Sequence, residues 1–254
     1  MLRLPILTLV AWAVSASFTQ IVVAQESPTE SPSATAEESL SPSISPEESA
    51  TSSAIPEPTS SPSPVRNIRI SFVPPPMEGT ISLGICDQSG KLVRVLHQNA
   101  ELNDFTIGAD ALVTRWNGKD DSGQDLPAGR YHARGYLIGP LKLQTLGETS
   151  PPAAEPDANT AVKVRLLRNP LRKDKQPVAE LRIGLTNNGS FLETSYGLPL
   201  FKISEASNVT RAWIAMKNEN TLDVWQDESG IVHQFRISNV DQMMAFDCGD
   251  FELK

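Results

Sequence analysis

Between Gly79 and Gly139 the chain alternates apolar and polar residues and closes each run with a turn, a pattern that specifies a small antiparallel β-module. Ile81, Leu83 and Ile85 alternate, Asp87-Gln88-Ser89-Gly90 makes a tight turn, and Leu92, Val93, Val95 and Leu96 form the returning strand of a hairpin. Upstream, Ile68, Ile70 and Phe72 alternate with Arg69 and Ser71 until Pro74-Pro75-Pro76 ends the strand, because proline has no N–H to give to a ladder. After a looser stretch from His97 to Asp110, Leu112, Thr114 and Trp116 predict a further strand, and Asn117 to Asp125 a long polar turn. Arg130 to Ile138 then predicts a strand with Tyr131, Ala133, Gly135 and Leu137 on one face. Trp116 offers a large apolar plate for a small sandwich core, and its indole N–H can reach an acceptor at the rim.

The runs ISLGICDQSGKLVRVL (81–96) and VTRWNGKDDSGQDLPAGRYHARGYL (113–137) resemble the immunoglobulin-like domain of the FlgD type. That domain is named for the flagellar hook-capping protein and also occurs as an appended module in exported bacterial proteins. The resemblance rests on the aliphatic strand ending in Asp87, on Gly90-Lys91-Leu92-Val93, on Trp116-Asn117-Gly118 with Asp120-Asp121-Ser122-Gly123, and on Leu126-Pro127-Ala128-Gly129 before Tyr131. It implies an immunoglobulin-like β-sandwich over residues 66–142. It implies no hook assembly, since the other regions of the hook-capping protein have no counterpart here.

The segments before the module are different material. Arg3, the apolar run from Leu4 to Val14 and the small residues Val22-Val23-Ala24 read as a secretory signal over residues 1–24, with an uncleaved anchor as the alternative. Residues 25–65 hold eight prolines, seven glutamates and no Lys or Arg, a composition too poor in apolar surface to offset its ordering entropy. A disordered, extended linker is expected, acting as a stalk. Of the formal net charge of −8, those glutamates account for −7 and Arg3 for +1, which leaves −2 on residues 66–254. A nearly neutral folded part lacks the basic footprint that nucleic acid requires.

Downstream, residues 143–159 contain three prolines and read as a linker, and residues 160–254 read again as β. Val162, Val164 and Leu166 alternate with Lys163 and Arg165, and Leu181, Ile183 and Leu185 lead into the hairpin turn Asn187-Asn188-Gly189. An internal repeat follows. LRIGLTNNGSFLETSYGLPLFKIS (181–204) parallels WIAMKNENTLDVWQDESGIVHQFRIS (213–238), each ending in Phe-Lys/Arg-Ile-Ser, 34 residues apart. Strand–turn–strand–turn–strand is also the grammar of a propeller blade, but two copies fall short of the usual four to eight. A compact β-domain of two β-meanders is therefore expected, with blade-like fragments completed by another chain as the alternative.

Residues that could carry chemistry are few. Asp120, Asp121 and Asp125 could line a calcium loop, but their spacing is not that of an EF-hand, and an Asx-type turn is expected instead. Trp213, Trp225 and Phe235 could form an aromatic platform, although such residues in alternating strands belong more often to a core. Asp247 and Asp250 flank Cys248 and Gly249 and read as a solvated terminal turn rather than a catalytic pair. His97, His132 and His233 are scattered, and no nucleophile elbow, zinc-helix motif or phosphate loop occurs. Cys86 and Cys248 are expected as free, half-buried thiols, with a disulfide open as the alternative in an exported chain. Asn188-Gly189-Ser190 and Asn208-Val209-Thr210 fit the N-glycosylation pattern, which has meaning only on a eukaryotic secretory route.

The expectation is thus an all-β, exported, non-catalytic binding or structural module of the bacterial envelope or extracellular space. No catalytic, cofactor or metal residue is assigned. Its partner would be a protein or glycan of the envelope, with no nucleic acid and no membrane span after signal cleavage. A secreted hydrolase of envelope or extracellular polymers, with its site in residues 160–254, is the alternative.

Overall fold

Four antiparallel sheets account for nearly all the regular structure in the computed structural model, which describes residues 66–154, 160–171 and 176–254. The expected signal (1–24) and linker (25–65) lie outside the described residues. Among the described residues there is no α-helix, and the helical element present is a single 3-10 turn at Leu102–Asp104.

The first sandwich takes its strands from both ends of the described chain. β1 (Ile68–Phe72), β5 (Leu112–Trp116) and β4 (Thr106–Ile107) form a three-stranded sheet in the order β1-β5-β4. It faces a four-stranded sheet made of β2 (Thr80–Cys86), β3 (Leu92–Ala100), β6 (Gly129–Ile138) and β15 (Met243–Leu253), in the order β15-β6-β2-β3. Between the sheets Trp116 is 1% exposed, and Ile70, Leu83, Tyr131, Ala133 and Phe246 pack into the same core. The Trp116 indole N–H donates to Lys119 O at 2.9 Å, so the buried ring keeps its hydrogen bond.

β2, in the interior of the four-stranded sheet, is buried on both faces. Ile81 to Cys86 are six consecutive buried residues, although the alternation of Ile, Leu and Ile with Ser82 and Gly84 reads as a strand with one polar face. The odd-numbered residues face the first core. On the other side a second core arrives, and a Cβ on Gly84 would lie 2.6 Å from Leu92 Cδ1 and 3.0 Å from Leu198 Cδ1. Small side chains there let another layer approach the backbone.

The second core sits between two meanders, which are the two sequence repeats. β9 (Val178–Thr186), β10 (Gly189–Thr194) and β11 (Pro199–Ser204) form one, with β8 (Val162–Arg165) added beside β9. β12 (Val209–Asn218), β13 (Thr221–Glu228) and β14 (Ile231–Ser238) form the other, with β7 (Lys142–Thr149) added beside β14. Leu181, Leu192 and Leu200 from the first meander meet Leu222, Val224 and Phe235 from the second, and Tyr136, Ile138 and Met243 close the core from the shared sheet. A ring of hydrogen bonds links the two repeats. Ser204 Oγ donates to Gln226 Oε1 at 2.9 Å, Gln226 Nε2 donates to Ser190 Oγ, and Ser190 Oγ lies 3.0 Å from Ser204 Oγ. Ser190 and Gln226, both at zero exposure, thus find hydrogen-bond partners, as buried polar groups require.

Two expectations about boundaries change. Residues 143–159 were expected as a linker, yet Lys142–Thr149 is strand β7, paired with β14 from Lys142↔Ser238 to Thr149↔Val232. Residues 160–254 were expected as one domain, yet β15 pairs with β6 along its whole length, from Leu253↔Gly129 to Met243↔Ile138. β6 runs into β7 while β14 runs back into β15, and Gly139 N donates to Gln242 O at 2.8 Å where they pass. The two regions therefore share one antiparallel ribbon. The repeats are an excursion between the sixth and last strands of the first sandwich.

The cysteines are free and more deeply buried than half, at 6% exposure for Cys86 and 8% for Cys248. Cys86 pairs in register with His132, on the face away from the first core, whereas Cys248 packs into that core. Opposite faces of one sheet exclude a bridge.

Burial pushes the His97 imidazole below its ordinary range, against the opposing pull of the Asp104 charge. Its Nε2 lies 2.7 Å from Thr114 Oγ1, and its ring stands 4.5 Å from that of Phe105. Because the folded state favours neutral imidazole, the unfolded chain takes up the extra proton as pH falls through about 6.5. Stability should therefore drop from about pH 7.5 to about pH 5 more steeply in the wild type than in His97→Gln. Equal slopes in thermal melts of the two proteins would remove the role given to His97.

Candidate functional site

Among the described residues, a group of reactive side chains lies on the β6–β15 ribbon, beside the turn that follows β2. Cys86, Asp87, Arg130, His132, Arg134 and Asp250 line an open groove of about 530 Å³. His132 comes from β6 and Asp250 is its partner in register on β15. His132 Nδ1 stands 2.8 Å from Asp250 Oδ1, and Nε2 stands 3.4 Å from Asp247 Oδ1. Arg130 reaches the other Asp250 oxygen at 3.5 Å.

Asp247 and Asp250 are three residues apart, so a regular strand would send them to opposite faces. A bulge between Asp247 and Gly249 inserts one residue into β15, and Gly249 takes φ +93° there. The extra residue turns both carboxylates to the His132 side while Cys248 points into the first core. The expected solvated terminal turn is thus a paired strand, and strict alternation hides the cluster from the sequence.

The arrangement is poor equipment for nucleophilic catalysis. A Cys–His–Asp set needs one ring nitrogen facing the nucleophile and the other facing the carboxylate. Here both nitrogens of His132 face carboxylates. Burial also pushes the Cys86 thiol up, with Arg134 opposing and Asp87 reinforcing the shift, and burial raises the Cys248 thiol further. The thiolate is the nucleophilic form, so neither cysteine is poised for attack.

The other sequence candidates resolve by their hydrogen bonds. Asp120 Oδ1 accepts from Gln124 N at 2.8 Å and Ser122 Oγ at 2.7 Å, and these bonds, Ser122 first, hold its carboxyl below the ordinary range. That is an Asx-type turn. Asp121 accepts from Val95 N at 3.0 Å, covering the open edge of β3, and Asp125 pairs with Lys119 at 3.1 Å. The three carboxylates serve three separate partners. Among the described residues, no group of three or more His, Cys, Asp or Glu could hold a metal ion.

Trp213 and Trp225 face each other across β12 and β13, whereas Phe235 pairs with Val224 and enters the second core. Register therefore separates Phe235 from the tryptophans, and a three-ring platform does not form. Trp213 is 2% exposed, with the Arg211 guanidinium 5.6 Å from its ring centroid.

Scans against protein-family models and searches of curated proteins and solved structures returned no match. Among the described residues no helix is long and apolar enough to cross a membrane.

Proposed function

We propose that this chain is an exported, non-catalytic binding or structural module of the bacterial envelope or extracellular space, placed in the periplasm, at the cell surface or outside the cell. The observation that carries the reading is the shared sheet β15-β6-β2-β3, which contributes side chains to both cores and so joins the two packed units into one support. A three-stranded sheet against a four-stranded one also accords with the FlgD-type immunoglobulin-like domain, here with its last strand supplied by residues 243–253. Export rests on the signal-like residues 1–24, and the partner is a protein or glycan of the envelope. β7 adds a feature of assembly rather than catalysis. It is an edge strand with seven of its eight residues exposed, and Leu143 and Leu146 stand 40% and 37% exposed.

The competing reading is a hydrolase, and the His132 groove is where it would have to act. The full chain should release no product from peptide, ester or glycan polymers above background, and His132→Ala and Cys86→Ser should change nothing in that assay. Turnover that disappears in His132→Ala while the melting temperature holds would establish the hydrolase instead.

A further inference from the structure

Four arginines gather on one side of the first sandwich from three strands that are distant in sequence. Arg66 precedes β1, Arg69 lies in β1, Arg94 in β3 and Arg115 in β5. Arg69 and Arg115 are direct partners across the β1–β5 ladder, both exposed, a placement that costs stability because like charges stand opposite. Beside them a groove of about 330 Å³ is lined by Arg66, Asn67, Arg94, Arg115, Trp116 and Asn117, among others, and by no carboxylate.

The groove lining is rich in donors. Arg66 Nη1 donates to Leu126 O at 2.5 Å and Arg115 Nη1 to Asn67 Oδ1 at 3.2 Å, both neutral acceptors that leave the charge uncompensated. Arg94 Nη1 donates to Asp120 O at 2.6 Å, and its Nε is buried with no acceptor. Both amide oxygens in the lining are also engaged, Asn67 Oδ1 by Arg115 and Asn117 Oδ1 by Lys119 N at 3.2 Å, which turns their NH₂ ends to other partners. Among the described residues, Asp121, at 3.6 Å from Arg94, is the only carboxylate paired with any of the four arginines.

We propose that this groove binds an oxyanion group, phosphate or carboxylate, presented from solvent. Guanidinium forks match both groups, bonding two oxygens of one anion at once. Asn67 and Asn117 add neutral donors, and a bound anion offsets the charge gathered on Arg66, Arg94 and Arg115. The groove shares no residue with the His132 cluster, and its occupancy does not depend on the envelope assignment.

Titration calorimetry of the full chain at low ionic strength tests it, with pyrophosphate as the phosphate probe, citrate as the carboxylate probe and glucose as the neutral control. At least one anion should bind and glucose should not, and the tighter anion names the source. Arg115→Gln should weaken binding roughly tenfold or more, the loss expected for one charged hydrogen bond. Arg115→Lys should fall between, since it keeps the charge and loses the fork. Lys91→Gln, an exposed cation outside the groove lining, should bind like the wild type. Arg115 is exposed on a sheet surface, and a melting curve for each variant confirms that it is folded. Failure of both anions to bind overturns the proposal, as does equal weakening by Lys91→Gln and Arg115→Gln.

Discussion

Deleting residues 243–254 should abolish the cooperative folding of the first sandwich, whose other strands lie more than a hundred residues upstream. The deletion takes β15 out of the shared sheet. It removes five buried side chains, Met243, Met244, Phe246, Cys248 and Leu253, each under 9% exposed. The four large ones contribute about 1.5–3 kcal/mol each by burial alone, or about 6–12 kcal/mol together. Domains of this kind are stable by about 5–15 kcal/mol in total. β6 would also be left with an unpaired edge along ten residues. Loss of β15 therefore consumes most or all of the available stability, and it strikes both cores because Met243 belongs to the second. The measurement is a thermal melt followed by far-ultraviolet circular dichroism, with limited proteolysis as a second readout. A truncated chain that still melts cooperatively within a few degrees of the full chain would show that the sheet does not need its last strand. By the same reasoning residues 66–142 alone should not fold, although their sequence reads as a complete module.

Gly135→Val should be strongly destabilising in spite of the β propensity of valine. Gly135 lies in the middle of β6 and pairs with Phe246 on β15 and with Leu83 on β2. A Cβ there would stand 2.3 Å from Phe246 Cζ and 2.5 Å from Cε2, so the ring lies directly over the glycine. The ring has little room to withdraw. It stacks on Phe72 at 5.2 Å, and Phe72 meets Phe105 edge-on at 5.4 Å. Overpacking of this kind costs about 1–3 kcal/mol and occasionally more, and a branched side chain on both neighbours' face belongs at the upper end. Phe246→Ala alone should cost about 3–5 kcal/mol through the cavity it leaves. Valine at 135 would partly fill that cavity, so the double variant should be more stable than the sum of the singles by more than about 0.5 kcal/mol. Denaturant melts of the four proteins measure the coupling. Simple additivity would mean that ring and glycine are not in the contact described.

Much of the local structure is legible in the residues. The Asp87–Gly90 hairpin, the strand face of Tyr131, Ala133, Gly135 and Leu137, the Asx-type turn at Asp120 and the two meanders all follow from short-range rules. The site is less legible. Asp247 and Asp250 reach one imidazole through a bulge that breaks the period of two. Gln226 is fully buried in β13, where the serines of the other repeat complete its hydrogen bonds. A polar residue in a strand shows nothing of the partner that will satisfy it.

The all-β character, the hairpins and the repeated meander are written in the residues, because alternation and turn chemistry act over a few positions. Only long-range pairing brings Leu253 to close the sandwich begun at Ile68, makes the segment from Lys142 a strand, and sets Arg66, Arg94 and Arg115 around one groove with Arg69 beside Arg115. The physical reason is the same in each case. An amphipathic strand states which face it will bury, whereas its neighbour in the sheet is chosen by pairing across long stretches of chain that leave no local mark.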